Sequence, residues 1–541
     1  MNSSLLIGIF LIPIILCNDY EDGVFLARIT SIDEHDARRI GRRFGFEAER
    51  KLQSYDDVYI GRRLHRRKRG IEDEIVAEMM LIQQVQFIEK LRWFRRYKRA
   101  PIQTSGAPVH VWNLTPSMKI REAWEAGFNA SRVTVAVVDD GVDVGHVDLR
   151  SAFSPHVSFD FVRFGTLPLP KKSKDTQHGT QCAGLVAMEG NQCGLGVGHG
   201  ATLGAIRLLG QEHLNDALEG DALAFQKNLI DIYSVSWGPK DDGVTAEKPA
   251  KFTEEAIRNG AIHGRNGLGN IFVWASGNGG ANGDNCALDG YVNNEYTISF
   301  GVIGSNGAPA AYAEGCSSVL AAVSGGDSML QTTGLESTCS VISGSSASAA
   351  IAAGIIALTL EANPSLSQRD IQHLIVHTSN SSDIRGDVEF KENAVGLKFN
   401  SKVGFGLLDA ENLVKRATTW VHVAPQKTCE FRNLGSNDGS IEVTECDISK
   451  TERIILTASI IHPHRGQVQI HVESPSGTIS ELLPLRPNDS TADLMDWDFV
   501  SVHFFDEDPR GTWKLHVKSV EDLKEANEFR VQLKQFKVTG V

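Results

Sequence analysis

Apolar and polar positions alternate in three different ways along the chain. Between Asp19 and Arg99 the pattern is that of a small mixed unit. Gly23-Val24-Phe25-Leu26-Ala27-Arg28-Ile29 predicts a strand, Glu34 to Phe44 a helix and Val58 to Arg62 a second strand, while Asp73 to Phe94 has the spacing of a long amphipathic helix. From 107 to 425, strand-length apolar runs end in small polar loops and give way to helical patterns. Val133 to Val138 ends at Asp139-Asp140-Gly141, and Ile271 to Ala275 ends at Ser276-Gly277-Asn278-Gly279. Ser348 to Leu360, rich in Ala, Ile and Leu, predicts a helix that stops before Pro364. This alternation predicts an α/β fold with a doubly wound parallel sheet, whose functional groups gather beyond the C-terminal ends of the strands. After Val423, short alternating strands (Ile454 to Ile460, Val468 to Val472, Trp513 to Val517) predict an all-β sandwich or barrel.

The chain ends and cysteines bear on the compartment. Leu5 to Cys17 is apolar, too short to span a bilayer and of the length of a signal-peptide core, so residues 1–18 are expected to be a leader. No other stretch is expected to cross a membrane, and the polar C-terminus predicts no anchor. Without Cys17, seven cysteines remain of the 8, which predicts one free thiol beside three possible disulfides. Sequons at Asn113, Asn129, Asn380 and Asn488 point, with the leader, to a eukaryotic secretory route.

Composition excludes more than it selects. At 41% apolar and 22% charged the chain is globular rather than disordered. The net charge of −13 argues against a nucleic-acid partner bound by bulk charge. The charge is unevenly spread: Asp19 to Arg99 holds 19 Lys+Arg against 15 Asp+Glu, leaving −17 for the rest. The two parts attract, or the body favours cationic ligands, or the acids are a solvated face. Two basic clusters, Arg66-Arg67-Lys68-Arg69 and Arg96-Tyr97-Lys98-Arg99, punctuate the basic part. The second precedes a linker-like stretch beginning Ala100-Pro101, the exposed and extended setting that a processing protease needs.

Three residues form a candidate nucleophilic constellation. Asp139 ends a buried strand, His178 opens a helical segment, and Ser346 stands at the start of the apolar helix. A serine hydroxyl needs a base to take its proton, and the base needs a buried acid to fix its tautomer. An oxyanion needs donors placed in advance, here the Ser346 N–H at a helix N-terminus and the Asn278 amide.

The order Asp, His, Ser, with Ser234-Val235-Ser236-Trp237-Gly238-Pro239-Lys240-Asp241-Asp242-Gly243, Phe272 to Gly280 and Phe505 to Trp513, resembles the kexin/furin-type proprotein convertases, a branch of the subtilisin-like serine proteases. The resemblance implies an inhibitory pro-region (19–99), a catalytic domain (100–425) and a jelly-roll-like P domain (426–541). It implies a calcium-dependent endoprotease of the secretory pathway, acting in the Golgi or granules or after release. That enzyme would cut precursor proteins after paired basic residues, with its own pro-region as an intramolecular inhibitor. By motif position, Asp241 and Asp289 match the pocket for the residue before the cut, and Asp140 and Asp175 the next one back. Glu219, Glu247 and Tyr291 match the pocket for an Arg four residues before the cut, and Ser236-Trp237-Gly238 would hold the substrate as an added strand. Asp241, Asp284 and Glu314 match a calcium site, and Asp148 with Gly190-Asn191-Gln192 resembles a second, while a third near Asp160 lacks its carboxylates. The implied disulfides are Cys193–Cys339, Cys286–Cys316 and Cys429–Cys446, leaving Cys182 as the free thiol packed near the site.

The resemblance also implies maturation by cleavage after Arg99 and again after Arg69. His65 is an ordinary exposed histidine or a sensor of acidification. Ser345 stands for the family's usual Thr, and Ala350 for its usual Pro. The competing readings are an inactive homologue acting as a binding protein or chaperone, which retention of the triad and Asn278 disfavours, and a broad-specificity degradative subtilase, whose pockets should be apolar rather than lined with acids.

Overall fold

The first sheet is antiparallel and has four strands, in the spatial order Phe46–Lys51, Val58–Arg63, Val24–Ile29 and Val85–Lys90. Helices Glu34–Arg43 and Glu72–Met80 complete the unit. The computed structural model describes residues 24–541 except 30–33, 45, 64–71, 83, 100–107, 111–117, 211–213, 433, 435–438 and 522–528. The leader, His65, the cluster ending at Arg69 and the Asn113 sequon lie outside the described residues.

Two expectations for this unit are corrected. The long helix expected from Asp73 to Phe94 is a helix only over Glu72–Met80, followed by strands Val85–Lys90 and Trp93–Phe94. Val85 and Ile88 are buried where this strand pairs along Val24–Ile29, and the sheet offers a face to bury that an isolated helix lacks. The strand Phe46–Lys51 was not anticipated. It lies at the sheet edge and carries charge, so its pattern reads as polar.

The central sheet has seven strands in the order Ala321–Ser324, Thr297–Ile303, Ile271–Ala275, Ile232–Val235, Thr134–Asp139, Thr202–Arg207, Phe159–Asp160, all neighbours parallel. Its strands are buried on both faces. Val135 and Val137 join a core with helices His178–Ala187 and Ser345–Ala362, whereas Ala136 and Val138 join one with Asp216–Ala224 and Lys251–Gly267. Helix Ser345–Ala362 is long and apolar enough to cross a membrane, contrary to the expectation that nothing after the leader would be. It is 89% buried in the protein and apolar all round because core surrounds it.

Beyond residue 426 two antiparallel four-stranded sheets face each other, one led by Lys427–Arg432 and the other by Ser440–Val443. Trp513 fills their core, with Phe504 at 4.8 Å and Phe536 at 5.2 Å between ring centres. Disulfides join Cys193–Cys339, Cys286–Cys316 and Cys429–Cys446, and Cys182 is free and buried. Of the described sequons, Asn488 is exposed, with its amide donating to the Asn282 carbonyl at 2.7 Å. Asn129 and Asn380 are half-buried.

The first unit sits on the central one. Val24, Leu26, Leu52, Val58, Ile60 and Leu91 pack with Ala217 and Phe252. Arg28 pairs with Glu255 at 2.8 Å, and the Gln53 and Ser54 N–H groups donate to the Asp221 carboxylate at 2.7 and 2.6 Å.

The helix carrying His178 is clamped by the strand Leu330–Thr333: Thr332 and Thr333 hydroxyls each donate to its carbonyls, at Gln181 and Thr180, over 2.7 Å. Gly184 allows this approach, since a Cβ there would overlap both hydroxyls and lie 2.7 Å from the Thr333 nitrogen. Gly184→Ala is therefore expected to destabilise by about 1–3 kcal/mol through overpacking. A lower urea midpoint checks it.

Candidate active site

Asp139 closes the strand Thr134–Asp139, His178 is the first residue of its helix, and Ser346 lies in the first turn of Ser345–Ala362. His178 Nδ1 is 2.9 Å from Asp139 Oδ2, and its Nε2 is 3.0 Å from Ser346 Oγ. All three side chains are buried. Gly344, at φ 91°, supplies the left-handed turn that launches the Ser346 helix. The Ser345 N–H donates to Asn278 Oδ1 at 3.0 Å, which fixes the amide with its NH2 turned the other way.

Burial disfavours the His178 imidazolium, but the charge and hydrogen bond of Asp139, with Asp140 behind it, hold the pKa above its ordinary value. Cys182 is one turn further along the helix. Burial and the Asp139 charge push its thiol well up, so it stays protonated and unreactive.

The cleft is filled by this chain's own residues 96–99. Tyr97–Lys98 pairs antiparallel with Trp237–Gly238, and the Arg99 N–H donates to the Ser236 carbonyl at 3.1 Å. The Arg99 carbonyl oxygen is 2.6 Å from Ser346 Oγ. Three basic side chains enter three acidic recesses. Arg99 bonds the Asp289 carboxylate and the Ala275 carbonyl. Lys98 Nζ meets Asp140 Oδ2 at 2.9 Å. Arg96 makes a two-pronged contact with Glu219, 3.2 Å on each prong, bonds Glu247, and donates to the Tyr291 hydroxyl at 2.6 Å.

The two tryptophan motifs build the walls of these recesses. Trp237 Nε1 donates to the Val138 carbonyl at 2.8 Å, and Trp274 Nε1 to the Trp237 carbonyl at 2.7 Å. Trp274 stacks on Tyr291 with ring centres 4.9 Å apart. Gly238 keeps the Arg99 recess open, because its Cβ position lies 3.1 Å from Asp289 Oδ2 and overlaps the guanidinium. Burial weakens the charge of both Arg96 and Arg99, yet the facing carboxylates outweigh it and raise both pKa values.

Three of the expected site residues make other contacts than their motif positions imply. Asp175 meets Lys98 through its main-chain carbonyl rather than its carboxylate, because the single 3₁₀ turn Lys174–Thr176 faces that carbonyl inward. Asp148, expected as a cation ligand, fastens a loop in this structure. Its oxygens accept the Cys193 N–H at 2.7 Å, the Gln192 N–H at 3.0 Å and the Asn191 N–H, so they already face donors and fasten the loop. Asp160 is paired with the buried Arg207 at 3.0 Å. Asp241 does not touch Arg99. It accepts the Asn278 N–H at 2.8 Å and acts on Arg99 through its charge.

Behind the Arg99 recess, the buried Glu314 and the half-buried Asp241 and Asp284 form an acidic cluster. Burial, then the charges of Asp241 and Asp284, push the Glu314 carboxyl well above the usual range. Gly277, at φ 114°, brings the backbone onto Glu314, with a Cβ there 2.7 Å from Oε2 and closer still to Oε1. An all-oxygen set of three clustered carboxylates fits a calcium ion. Sequence reasoning missed two contributors: the Ala275 carbonyl, since a backbone acceptor has no residue signature, and Arg486, which reaches Asp284 Oδ1 at 2.7 Å from the C-terminal sheets.

Residues 130–406 match the model of the Subtilase family, and residues 451–539 that of the Proprotein convertase P-domain. The chain is 76% identical over 535 residues to Endoprotease aex-5 of Caenorhabditis elegans, covering 99% of this chain and 98% of that one. The chain belongs to the kexin/furin-type proprotein convertases. It is 41% identical to Furin of Mus musculus, over 82% of this chain and 59% of furin's length. In fold it is similar to a serine protease of Aeromonas sobria, with a TM-score of 0.68, 19% identity, and coverage of 82% of this chain and 98% of that one. The convertase is thus a subtilisin-like serine protease whose P domain is the two-sheet unit at its C-terminus.

An imidazole accepts a proton only when neutral, so a reaction that uses His178 as its base slows as pH drops through the His178 pKa. That pKa stands above the ordinary imidazole value, although the nearby Lys98 charge lowers it. A pH profile of kcat/KM on a basic peptide is expected to show an acid limb displaced upward from an ordinary histidine.

Proposed function

We propose that the protein is a calcium-dependent endoprotease that cuts precursor proteins after Lys-Arg, Arg-Arg or Arg-X-Lys/Arg-Arg. In this reading it is made as a zymogen with a leader (1–18), pro-region (19–99), catalytic domain (100–425) and P domain (426–541). The observation that carries the reading is the seating of Arg96, Lys98 and Arg99 in acidic recesses while the Arg99 carbonyl lies against Ser346 Oγ. A chain whose own sequence fits its cleft this way is both its first substrate and, after the cut, its first inhibitor. Secretory processing agrees with the disulfides and the sequons.

The chemistry follows from the geometry. Ser346 Oγ attacks the Arg99 carbonyl carbon while its proton passes to His178 Nε2, and Asp139 steadies the imidazolium through Nδ1. The Ser346 N–H and the Asn278 amide receive the negative charge that develops on the carbonyl oxygen. His178 then returns the proton to the leaving amine. Calcium bound among Asp241, Asp284 and Glu314 would supply fixed positive charge that keeps these carboxylates ionised behind the Arg99 recess.

Ser346→Ala is expected to yield an uncut chain, with wild-type protein split after Arg99, read by N-terminal sequencing. If the alanine variant is still cut there, cleavage in cis is wrong. Asp289→Asn is expected to lower kcat/KM for arginyl peptides about 10–100-fold, since a hydrogen bond to a charged group contributes about 1.5–3 kcal/mol. Chelating calcium from the processed enzyme is expected to reduce cleavage and lower the melting temperature together, with both restored by added calcium.

A further inference from the structure

We propose that the substrate cleft of the processed enzyme continues past the Arg96 recess into a strand-pairing site at Leu214–Asp216. This site takes an extended peptide segment with an aromatic side chain six residues before the cut. The inference rests on the reading that residues 96–99 lie where a substrate lies.

Trp93–Phe94 pairs antiparallel with Leu214–Asn215, Phe94 opposite Leu214 and Trp93 opposite Asn215. The Asp216 N–H donates to the Arg92 carbonyl at 3.2 Å. In an antiparallel pair the bonded positions alternate, so Leu214 and Phe94, two along from Asp216 and Arg92, exchange backbone bonds as well. The bound segment thus uses two enzyme strands in turn: Leu214–Asn215 for Trp93 and Phe94, then Trp237–Gly238 for Tyr97 and Lys98.

At the crossover Arg96 turns into its recess between two rings. Its guanidinium carbon lies 4.5 Å from the centre of the Phe94 ring and 5.0 Å from that of Tyr291. Tyr291 belongs to the enzyme, but the other ring comes from the bound segment, two residues before the arginine it covers. An aromatic at that position therefore lids the recess and strengthens the hold on the cation.

The enzyme's half of this site is rigid. Leu214 and Asn215 are buried, and the Asn215 side chain accepts the Leu218 N–H at 3.0 Å, capping helix Asp216–Ala224. That same helix carries Glu219, so the pairing edge and the arginine recess are held in one frame. When the pro-region departs, Leu214–Asn215 loses its strand partner among the described residues and presents an edge for the upstream segment of a substrate.

The test compares coumarin-amide peptides cut by the processed enzyme. The octapeptide Arg-Trp-Phe-Arg-Arg-Tyr-Lys-Arg is set against the tetrapeptide Arg-Tyr-Lys-Arg, against an octapeptide with Ala for Phe, and against one N-methylated on the Phe nitrogen. The octapeptide is expected to exceed the tetrapeptide about tenfold in kcat/KM, mainly through KM, with most of the gain lost on N-methylation. Alanine is expected to cost roughly threefold, and to cost nothing when the arginine four residues before the cut is replaced by norleucine. The N-methyl peptide has the same charge as its parent, so general attraction to an acidic cleft cannot produce the difference. If the tetrapeptide is cut and the three octapeptides are equal, the extended site is wrong while the function stands. If none of the peptides is cut, the reading of residues 96–99 fails, and this inference fails with it.

Discussion

Burying a carboxylate without a cation is among the costliest arrangements a protein can hold, and this fold buries a row of them along one cleft. Asp140, Glu219 and Asp289, with Glu314 behind, are all withdrawn from water, and Asp241 is half-buried beside them. Each needs positive charge nearby, and the cleft meets that need with Lys98, Arg96 and Arg99 of the same chain. A neutral side chain in place of Arg99 would leave Asp289 desolvated and unpaired.

The fold places these charges by connectivity rather than by local sequence. The strand carrying Asp139 and the strand leading to Ser236 are neighbours in the parallel sheet, and both deliver polar residues at their C-terminal ends. The helix bearing Ser346 runs through the core and presents only its first turn to the cleft. Trp237 and Trp274 tie the strand ends together through indole–carbonyl bonds, so the recess walls are as stiff as the sheet itself.

The P domain is part of this arrangement. Arg486 bonds Asp284 and the Thr245 carbonyl, while Arg465 bonds the Val244 carbonyl at 2.7 Å. Trp497 donates to the Ala287 carbonyl at 2.9 Å, and Asn293 accepts the Val500 N–H at 2.8 Å. These contacts fall on the loop 242–245 and the segment 284–293 that wall the Arg99 recess from behind. A guanidinium from one unit thus offsets part of the charge buried in the other, and this ties the geometry of the recess to the presence of the P domain.

Much of this was legible in the sequence where a local rule suffices. Apolar runs ending in Asp139 and Asn278 identified sheet strands, because a strand buried on both faces must be apolar throughout. The convergence of Asp139, His178 and Ser346 and the acidic residues of the recesses were legible because their motifs travel with their neighbours. Other features were decided only by tertiary contact. The segment after Met80 had helical spacing, but a neighbouring strand with open hydrogen bonds made it extended. The N–H groups of the loop at 191–193 converge on the Asp148 oxygens only when the loop closes. Asp175 serves through its backbone, Ala275 through a carbonyl, and Arg486 from a domain some two hundred residues downstream of Asp284. Residue identity specifies which charges and hydroxyls a chain possesses. Whether a carboxylate faces an amide, a guanidinium or water depends on elements far apart in the chain, and that is settled when they pack.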